Sequence, residues 1–126
     1  MKVSDLTKRQ ATFGYEDRTY LTDNAILRYG GREGKLVDVS EVFHNTLENL
    51  WFLEKDGFPS VLDILAHAER IDNADTKWPL LVAEKDMLVL DGMHRLCKLM
   101  MHKKGKKLKV KIILLTDDEI KQIEEV

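Results

Sequence analysis

The five residues from Asp91 to Arg95, Asp-Gly-Met-His-Arg, bring an acid, a glycine, an imidazole and a guanidinium together. They follow the apolar run 87–90 and precede a stretch with helix-like character from Leu96 to Lys104. The pattern therefore predicts a strand that turns into a helix at Gly92. Because a helix start presents free N–H groups and the positive end of the helix dipole, this junction is suited to bind an anion, above all a phosphate.

Each side chain of this loop has its own chemistry. Gly92 lets a ligand approach the backbone closely, and Arg95 can make a bidentate contact with phosphate oxygens. His94 can donate, accept or transfer a proton near neutral pH. Asp91 can hold a metal, orient the histidine or act as a base.

Each loop residue also has a structural alternative. Asp91 can cap the helix, Gly92 can serve the turn alone, His94 can be a surface residue, and Arg95 can pair with a nearby acid. One anion-binding junction explains the four residues together, and we therefore prefer the binding-site interpretation.

The residues around the loop follow a recognisable order of strand, loop, helix, glycine and strand. They comprise Pro79-Leu80-Leu81-Val82, Val89 to Leu96, Lys98, Gly105 and Val110-Lys111-Ile112-Ile113. In this order the chain resembles the ParB/sulfiredoxin superfamily, from about Val61 to Ile113. The resemblance implies an α+β fold with a small mixed sheet and packed helices, in which the loop and helix start bind a nucleotide phosphate.

The loop distinguishes among the branches of that superfamily. Sulfiredoxins place a catalytic cysteine between the glycine and the histidine, where this chain has Met93. The chromosome-partitioning branch has arginines in the loop and a helix-turn-helix domain after it, whereas this chain has His94 before Arg95 and ends at Val126. The free serine kinase type, with Asp-Gly-His-His-Arg, is most similar, and only Met93 departs from it.

The resemblance to the kinase type implies a role for each matching residue. Gly92, Met93, His94 and Arg95 would bind the phosphates of ATP or another nucleotide. Asp91 and His94 would be catalytic, and Asp91 would also bind Mg²⁺. The expected reaction is phosphoryl transfer to a small molecule or nucleotide hydrolysis, which depends mainly on positioning and charge stabilisation.

Kinases of this type also have a catalytic glutamate upstream of the loop. Glu48 is the candidate here and Glu41 is the reserve, while an exposed helical glutamate is the alternative interpretation of Glu48. Two other functions stay open for the chain. One is a DNA-associated ParB-like module of phage or plasmid origin, which would act in partitioning or as a nuclease-like protein. The other is a ligand-sensing domain without catalysis.

A lysine-rich segment from Lys103 to Lys111 bears on the DNA-binding alternative. It contains Lys103, Lys104, Lys106, Lys107, Lys109 and Lys111. A solvated helix end followed by a solvated strand face accounts for this pattern. The segment has no aromatic residue for base stacking, so we expect at most a weak contact with DNA.

Composition restricts the remaining classes. The chain has 126 residues, a formal net charge of −2 and a single cysteine, Cys97. This length indicates one domain over residues 1–126, with residues 1–34 as a less ordered N-terminal extension. No apolar run is long enough to cross a membrane, and one cysteine suits a reducing cytoplasm, so we expect a cytoplasmic protein.

Local patterns predict the elements that position the loop. A short strand is expected at 36–39, and a helix from Ser60 to about Asn73, with Asp63 at the capping-box position and an apolar stripe along one side. Strands are expected at 78–83 and 107–115. Thr116 and Glu119 form a second capping box for a last helix.

Overall fold

The computed structural model describes residues 11–48, 51, 58–102 and 108–126. These residues form ten regular strands and α-helices: β1 Thr12–Tyr15, β2 Arg18–Leu21, α1 Thr22–Tyr29, β3 Lys35–Asp38, α2 Val61–Asn73, β4 Leu80–Ala83, β5 Leu88–Asp91, α3 Met93–His102, β6 Lys109–Leu115 and α4 Asp117–Lys121. Short 3-10 turns follow β3 and precede β5. The prediction of an α+β fold is confirmed.

The larger sheet has four strands in the order β3-β6-β4-β5. Its two outer pairs, β3 with β6 and β4 with β5, are antiparallel, whereas the central pair β4 and β6 is parallel. The sheet is therefore mixed, as the sequence predicted. The strands β1 and β2 form a separate antiparallel hairpin.

Alternating side chains of the sheet contribute to two hydrophobic cores, because successive residues of a strand point to opposite faces. On one face, Leu81, Leu90 and Ile113 pack with the β1–β2 hairpin, α1 and α4. On the other face, Leu80 and Val89 pack with α3 and the turns after β3. All four residues of β4 are buried, in keeping with its place inside the sheet between β6 and the edge strand β5.

The hairpin between β4 and β5 is held by a buried asparagine. Asp86 and Met87 have positive φ angles of 61° and 49°, an unusual conformation for residues with a side chain. The Asn45 amide donates to the Met87 carbonyl and accepts from the Val89 N–H, both at 2.9 Å. Asn45 is 1% exposed, so these bonds fix the start of β5 from within the core.

Both predicted capping boxes are present. Ser60 caps α2 with Asp63, and Thr116 caps α4 with Glu119. The apolar stripe of α2 does not face the core, however, because Ala66 is the buried residue of that helix, and Val61 is 74% exposed. The sequence placed the helix and its start correctly but could not show which side of it would be covered.

Within the segment 1–34, for which the sequence suggested less order, the described residues include regular elements. Residues 11–29 form β1, β2 and α1, and the aromatic residues Phe13, Tyr15, Tyr20 and Tyr29 are buried in one of the two cores. Tyr29 also donates a hydrogen bond to the Glu119 carbonyl at 2.7 Å. Aromatic side chains of large area stabilise this region without a long apolar pattern that the sequence would reveal. Residues 1–10 lie outside the described residues.

None of the described helices is long and apolar enough to cross a membrane. The predicted strands at 36–39, 78–83 and 107–115 are present at 35–38, 80–83 and 109–115. Gly105, the predicted end of α3, lies outside the described residues.

Candidate functional site

The strand-to-helix junction lies where the sequence predicted it. Asp91 ends β5, and α3 begins at Met93. Gly92, between them, has a φ of +106° and its carbonyl accepts the Leu96 N–H at 3.0 Å. Because Gly92 has no side chain, it cannot cap this helix start in the way that Ser60 caps α2 and Thr116 caps α4.

The junction requires glycine for two reasons. A φ of +106° is rarely adopted by residues with a Cβ. In addition, a Cβ at position 92 would lie 2.5 Å from Leu80 Cδ2 and 3.3 Å from Nη1 of Arg95. The turn at Gly92 therefore packs against Leu80 of β4 and against the Arg95 side chain of its own loop.

The Arg95 guanidinium ties the loop to the neighbouring strand. One terminal nitrogen donates to the Pro79 carbonyl at 2.6 Å, and the other donates to Oδ2 of Asp91 at 2.9 Å. The two charged side chains are about one fifth exposed. The structural alternative for Arg95, a pairing with a nearby acid, is therefore present, and Asp91 pairs with Arg95 rather than capping α3.

Met93 contributes only its backbone to the site. Its side chain packs against the core that contains Leu96 and Leu99. This packing explains how a methionine fits at the position where the kinase-type loop has its first histidine. The chemistry that remains for Met93 is that of its N–H group.

His94 contacts a second histidine that is distant in sequence. Its Nε2 lies 2.8 Å from Nδ1 of His67, which belongs to α2. The two imidazole planes are 17° apart and their centroids are separated by 5.1 Å, so the rings meet edge to edge. One ring nitrogen must donate and the other must accept in this hydrogen bond.

Trp51 covers this histidine pair. Its ring centroid lies 4.2 Å from that of His67 and 4.5 Å from that of His94, and both interplanar angles are 11°. The indole is therefore stacked on both imidazoles at once. A stack of this kind removes one face of each ring from water.

Burial and positive charge keep both imidazoles neutral at pH 7. Burial is the main cause that lowers the pKa of His94 to about 4, and the charges of His67, Arg70 and Arg95 lower it further. Burial and Arg70 also lower the pKa of His67, against an opposing effect of Asp63. A neutral imidazole has one unprotonated nitrogen and no positive charge, so at pH 7 His94 does not contact an anion as a cation.

A lysine contact strengthens the packing of α3 against α2. Nζ of Lys98 donates to the carbonyls of Asp72 and Ala74, at 2.5 and 3.0 Å, at the C-terminal end of α2. Lys98 lies one helical turn after His94 and therefore on the same side of α3. The two contacts together fix the rotation of α3 and the direction in which His94 points.

The upstream glutamates are not part of this contact network. Glu48 and Glu41 are exposed, and the described residues give neither side chain a hydrogen bond or an ion pair. Glu48 lies between two residues that are anchored near the loop, namely Asn45, which binds Val89, and Trp51, which stacks on His94.

Of the lysine-rich segment, Lys109 and Lys111 lie in the structure and are exposed on β6. Lys109 lies 3.5 Å from Oδ1 of Asp38. Residues 103–107 lie outside the described residues. Cys97 is half-buried, and burial raises the pKa of its thiol, which lowers its reactivity at neutral pH.

A Mg²⁺ site at Asp91 was tested against the surrounding side chains. Within residues 11–48, 51, 58–102 and 108–126, no group of three or more His, Cys, Asp or Glu residues could hold a metal ion. The Asp91 carboxylate is paired with Arg95, a cation that competes for the same oxygen. Mg²⁺ at Asp91 would therefore need further ligands, such as the phosphate oxygens of a bound nucleotide.

Sequence reasoning missed two components of the site, His67 and Trp51. His67 is 27 residues before His94, and Trp51 lies in the apolar run Trp51-Phe52-Leu53, a composition typical of core residues. No local spacing connects these three rings, because the contact depends on how α2 packs against α3. The local signal at His67 is limited to Arg70, three residues later on the same predicted helix.

The comparisons with known proteins identify no relative. No protein-family model, no curated protein and no solved structure matches the chain.

Proposed function

We propose that this chain is a nucleotide- or phosphate-binding domain that catalyses phosphoryl transfer to a small molecule or nucleotide hydrolysis at the Asp91–Arg95 loop. The observation that supports it most is the junction itself. Gly92 turns β5 directly into α3 and has no side chain of its own that could cap the first-turn N–H groups. Next to them, His94 is held neutral and can act on a proton.

The phosphate contacts would come from the backbone and from Arg95. The N–H groups of Met93 and His94 and the dipole of α3 favour an anion. Arg95 has five N–H donors, and its described bonds use its two terminal nitrogens. A phosphate near Gly92 would compete with Asp91 for the guanidinium, because both are anions that arginine binds in a bidentate manner.

This competition suggests how ligand binding prepares the reaction. When a phosphate takes over the Asp91 contact of Arg95, the carboxylate of Asp91 is released from its ion pair. The free carboxylate and the neutral imidazole of His94 then provide two groups that can orient an attacking hydroxyl or water and accept its proton. Because phosphoryl transfer needs positioning above all, this small set of groups is sufficient.

Ligand-dependent thermal stability tests the binding part of the proposal. We would compare ATP, ADP, CTP, GTP and inorganic phosphate, each with and without Mg²⁺. A ligand at 100 times its Kd stabilises the folded state by about 2.7 kcal/mol, which raises the Tm measurably. We expect Arg95→Ala to remove this stabilisation and Arg18→Ala to retain it, since Arg18 forms an exposed ion pair with Glu125 elsewhere.

The absence of any stabilisation of the wild-type protein by nucleotides or phosphate would contradict the proposal. An equal response of Arg95→Ala and wild type would remove the loop from the binding site.

A paired assay of turnover and DNA binding separates the three functions. We expect phosphate release in the wild type and its loss in His94→Ala and Asp91→Asn. Nucleotide binding without turnover would instead indicate a sensing domain. Tight binding of duplex DNA at physiological salt, lost in a Lys109→Ala/Lys111→Ala variant, would indicate the DNA-associated module.

A further inference from the structure

The contact between His67 and His94 restricts where the two rings can hold their protons. Only one hydrogen fits between Nδ1 of His67 and Nε2 of His94, which are 2.8 Å apart. If that hydrogen belongs to His94, both rings carry their proton on Nε2. If it belongs to His67, both rings carry their proton on Nδ1. The two histidines must therefore have the same tautomer, because unlike tautomers would place two hydrogens or two lone pairs in the gap.

The same contact couples the outer nitrogens of the pair. In His94, Nδ1 is bonded to Cγ and is therefore the ring nitrogen nearer to the main chain at the start of α3. In His67, Nε2 is at the far end of the ring from the shared bond. A change of tautomer moves the basic site of the pair from one outer nitrogen to the other, while the hydrogen between the rings passes across 2.8 Å.

We propose that His67 and His94 act as one two-imidazole acid–base unit, in which His67 is the positioning residue that sets the tautomer of His94 and receives its proton. The unit starts with both protons on Nε2, so that Nδ1 of His94 is basic. A hydroxyl or water at the loop loses its proton to that Nδ1. The Nε2 proton of His94 passes to Nδ1 of His67, and the pair as a whole then releases one proton, the former Nε2 proton of His67, to the solvent.

Trp51 and the neighbouring charges support the unit. The indole stacked on both rings protects the shared hydrogen bond from water, which would otherwise compete for each nitrogen. Arg70 and Arg95 disfavour a lasting positive charge on the pair, and Asp63 opposes this effect at His67. These charges favour a pair that passes a proton on rather than one that stores it. The proposal deepens the phosphoryl-transfer function and, for its catalytic role, depends on it.

Imidazole nitrogen NMR tests the unit without any substrate. The chain has four histidines, so ¹⁵N–¹H correlations of the ¹⁵N-labelled wild-type protein can be assigned with one variant for each histidine. We expect His67 and His94 to show the same tautomer at pH 7, and their signals to move together as the pair takes up one proton on acidification. Unlike tautomers, or two independent protonations, would overturn the proposal.

A substitution with a matched control tests the influence of His67 on His94. His67→Phe keeps a flat ring against Trp51 but has no nitrogen, and we expect the His94 signals to shift to the mixture of tautomers typical of an unconstrained imidazole. His44→Gln should leave them unchanged, because His44 contacts the Asp86 carbonyl instead. Unchanged His94 signals in His67→Phe would overturn the proposal. If that variant does not fold, His67→Gln and the wild-type tautomers still decide.

Turnover then separates this inference from the proposed function. We expect His67→Phe to lower kcat about 10²-fold, the lower range for a positioned base, with KM unchanged and the acidic limb of the pH profile shifted. A purely structural role of His67 would not move that limb. If nucleotides neither bind nor react, the proposed function fails, while coupled tautomers would still establish the acid–base unit.

Discussion

Two polar side chains hold β5, one at each end, and they do so in different ways. Asn45 binds the start of the strand through the Met87 carbonyl and the Val89 N–H. His94 follows the end of the strand and binds His67 of α2. Each contact joins segments that are far apart in sequence, so each fixes the position of the strand relative to the rest of the molecule.

The difference is in what each side chain has left to offer. Asn45 is 1% exposed, its amide nitrogen donates to Val42 and Met87 and its oxygen accepts from Val89, so its bonding capacity is used within the core. His94 is partly exposed, uses one ring nitrogen and can change its protonation. A satisfied neutral amide supports structure, whereas a titratable ring with one nitrogen in reserve can support chemistry.

The largest effect is expected from Asn45→Ala, which leaves the Met87 carbonyl and the Val89 N–H without their Asn45 partner in a buried place, while the Val42 carbonyl keeps its bond from the backbone N–H of residue 45. We expect the free energy of unfolding to fall by about 3 kcal/mol, since each such group costs about 1–3 kcal/mol. Thr46→Ala is the control, because Thr46 makes a similar bond to the Phe43 carbonyl at the surface, and its loss should cost at most about 0.5 kcal/mol. Denaturant unfolding measures both, and equal losses would remove the distinction between the two anchors.

The second prediction concerns pH at the other end of β5. The unfolded chain binds a proton at His94 with a pKa near 6.5, whereas the folded protein does so at about 4. The contribution of neutral His94 to the free energy of unfolding is therefore fully present above pH 6.5. It falls as the pH drops towards 4, by at most about 3 kcal/mol. His67, whose pKa is also lowered, contributes in the same direction.

Unfolding measured between pH 7 and pH 4 should show a reduced pH dependence in His94→Phe. Protonation of Glu119 also reduces the stability of the folded state, but at lower pH, because Arg32 lowers the pKa of that carboxyl from 4.5 to about 2. An identical pH dependence in the wild type and His94→Phe would show that His94 is not desolvated in solution.

The third prediction compares two glycines. Gly92→Ala forces a Cβ into a positive φ and to within 2.5 Å of Leu80, so we expect a loss of about 2 kcal/mol. Gly31→Ala meets no atom within 4 Å and should change stability by less than about 0.5 kcal/mol. Thermal unfolding measures both, and a tolerated Gly92→Ala would mean that the turn into α3 can relax.

The sequence predicted those parts of the fold that depend on neighbouring residues. The apolar run before Asp91, the glycine after it and the helical spacing that follows are local signals, and the junction lies where they placed it. The capping boxes of Ser60 and Thr116 are local in the same sense. These patterns act over three or four residues, which is the range in which sequence alone determines geometry.

The parts that the sequence could not predict depend on packing between distant segments. His67 and His94 are 27 positions apart, so no local pattern indicates their contact, and the exposed side of α2 follows from how that helix lies on α3. The pairing of Arg95 with Asp91 was one of two open interpretations, since i,i+4 spacing on a helix start suits an ion pair as well as a free anion site.

The smallest effect is expected at the Asp91–Arg95 ion pair. Its measurement tests whether the contacts at the loop end of β5 can change when a ligand binds, unlike those of Asn45 at the other end. The pair is partly buried and Arg95 is also held by the Pro79 carbonyl, so we expect a coupling energy of about 1 kcal/mol. A double-mutant cycle with Asp91→Asn and Arg95→Gln measures it. The exposed pair of Arg18 and Glu125 is the control and should give less than about 0.5 kcal/mol.

The same cycle in the presence of ATP or phosphate gives the sharper result. If an anion replaces Asp91 as the partner of Arg95, the coupling between the two side chains should decrease when the ligand is bound, while the Arg18–Glu125 coupling stays constant. A coupling that is unaffected by a ligand that binds would mean that Arg95 keeps its structural contacts throughout. In that case the backbone of α3, and not the guanidinium, would hold the phosphate.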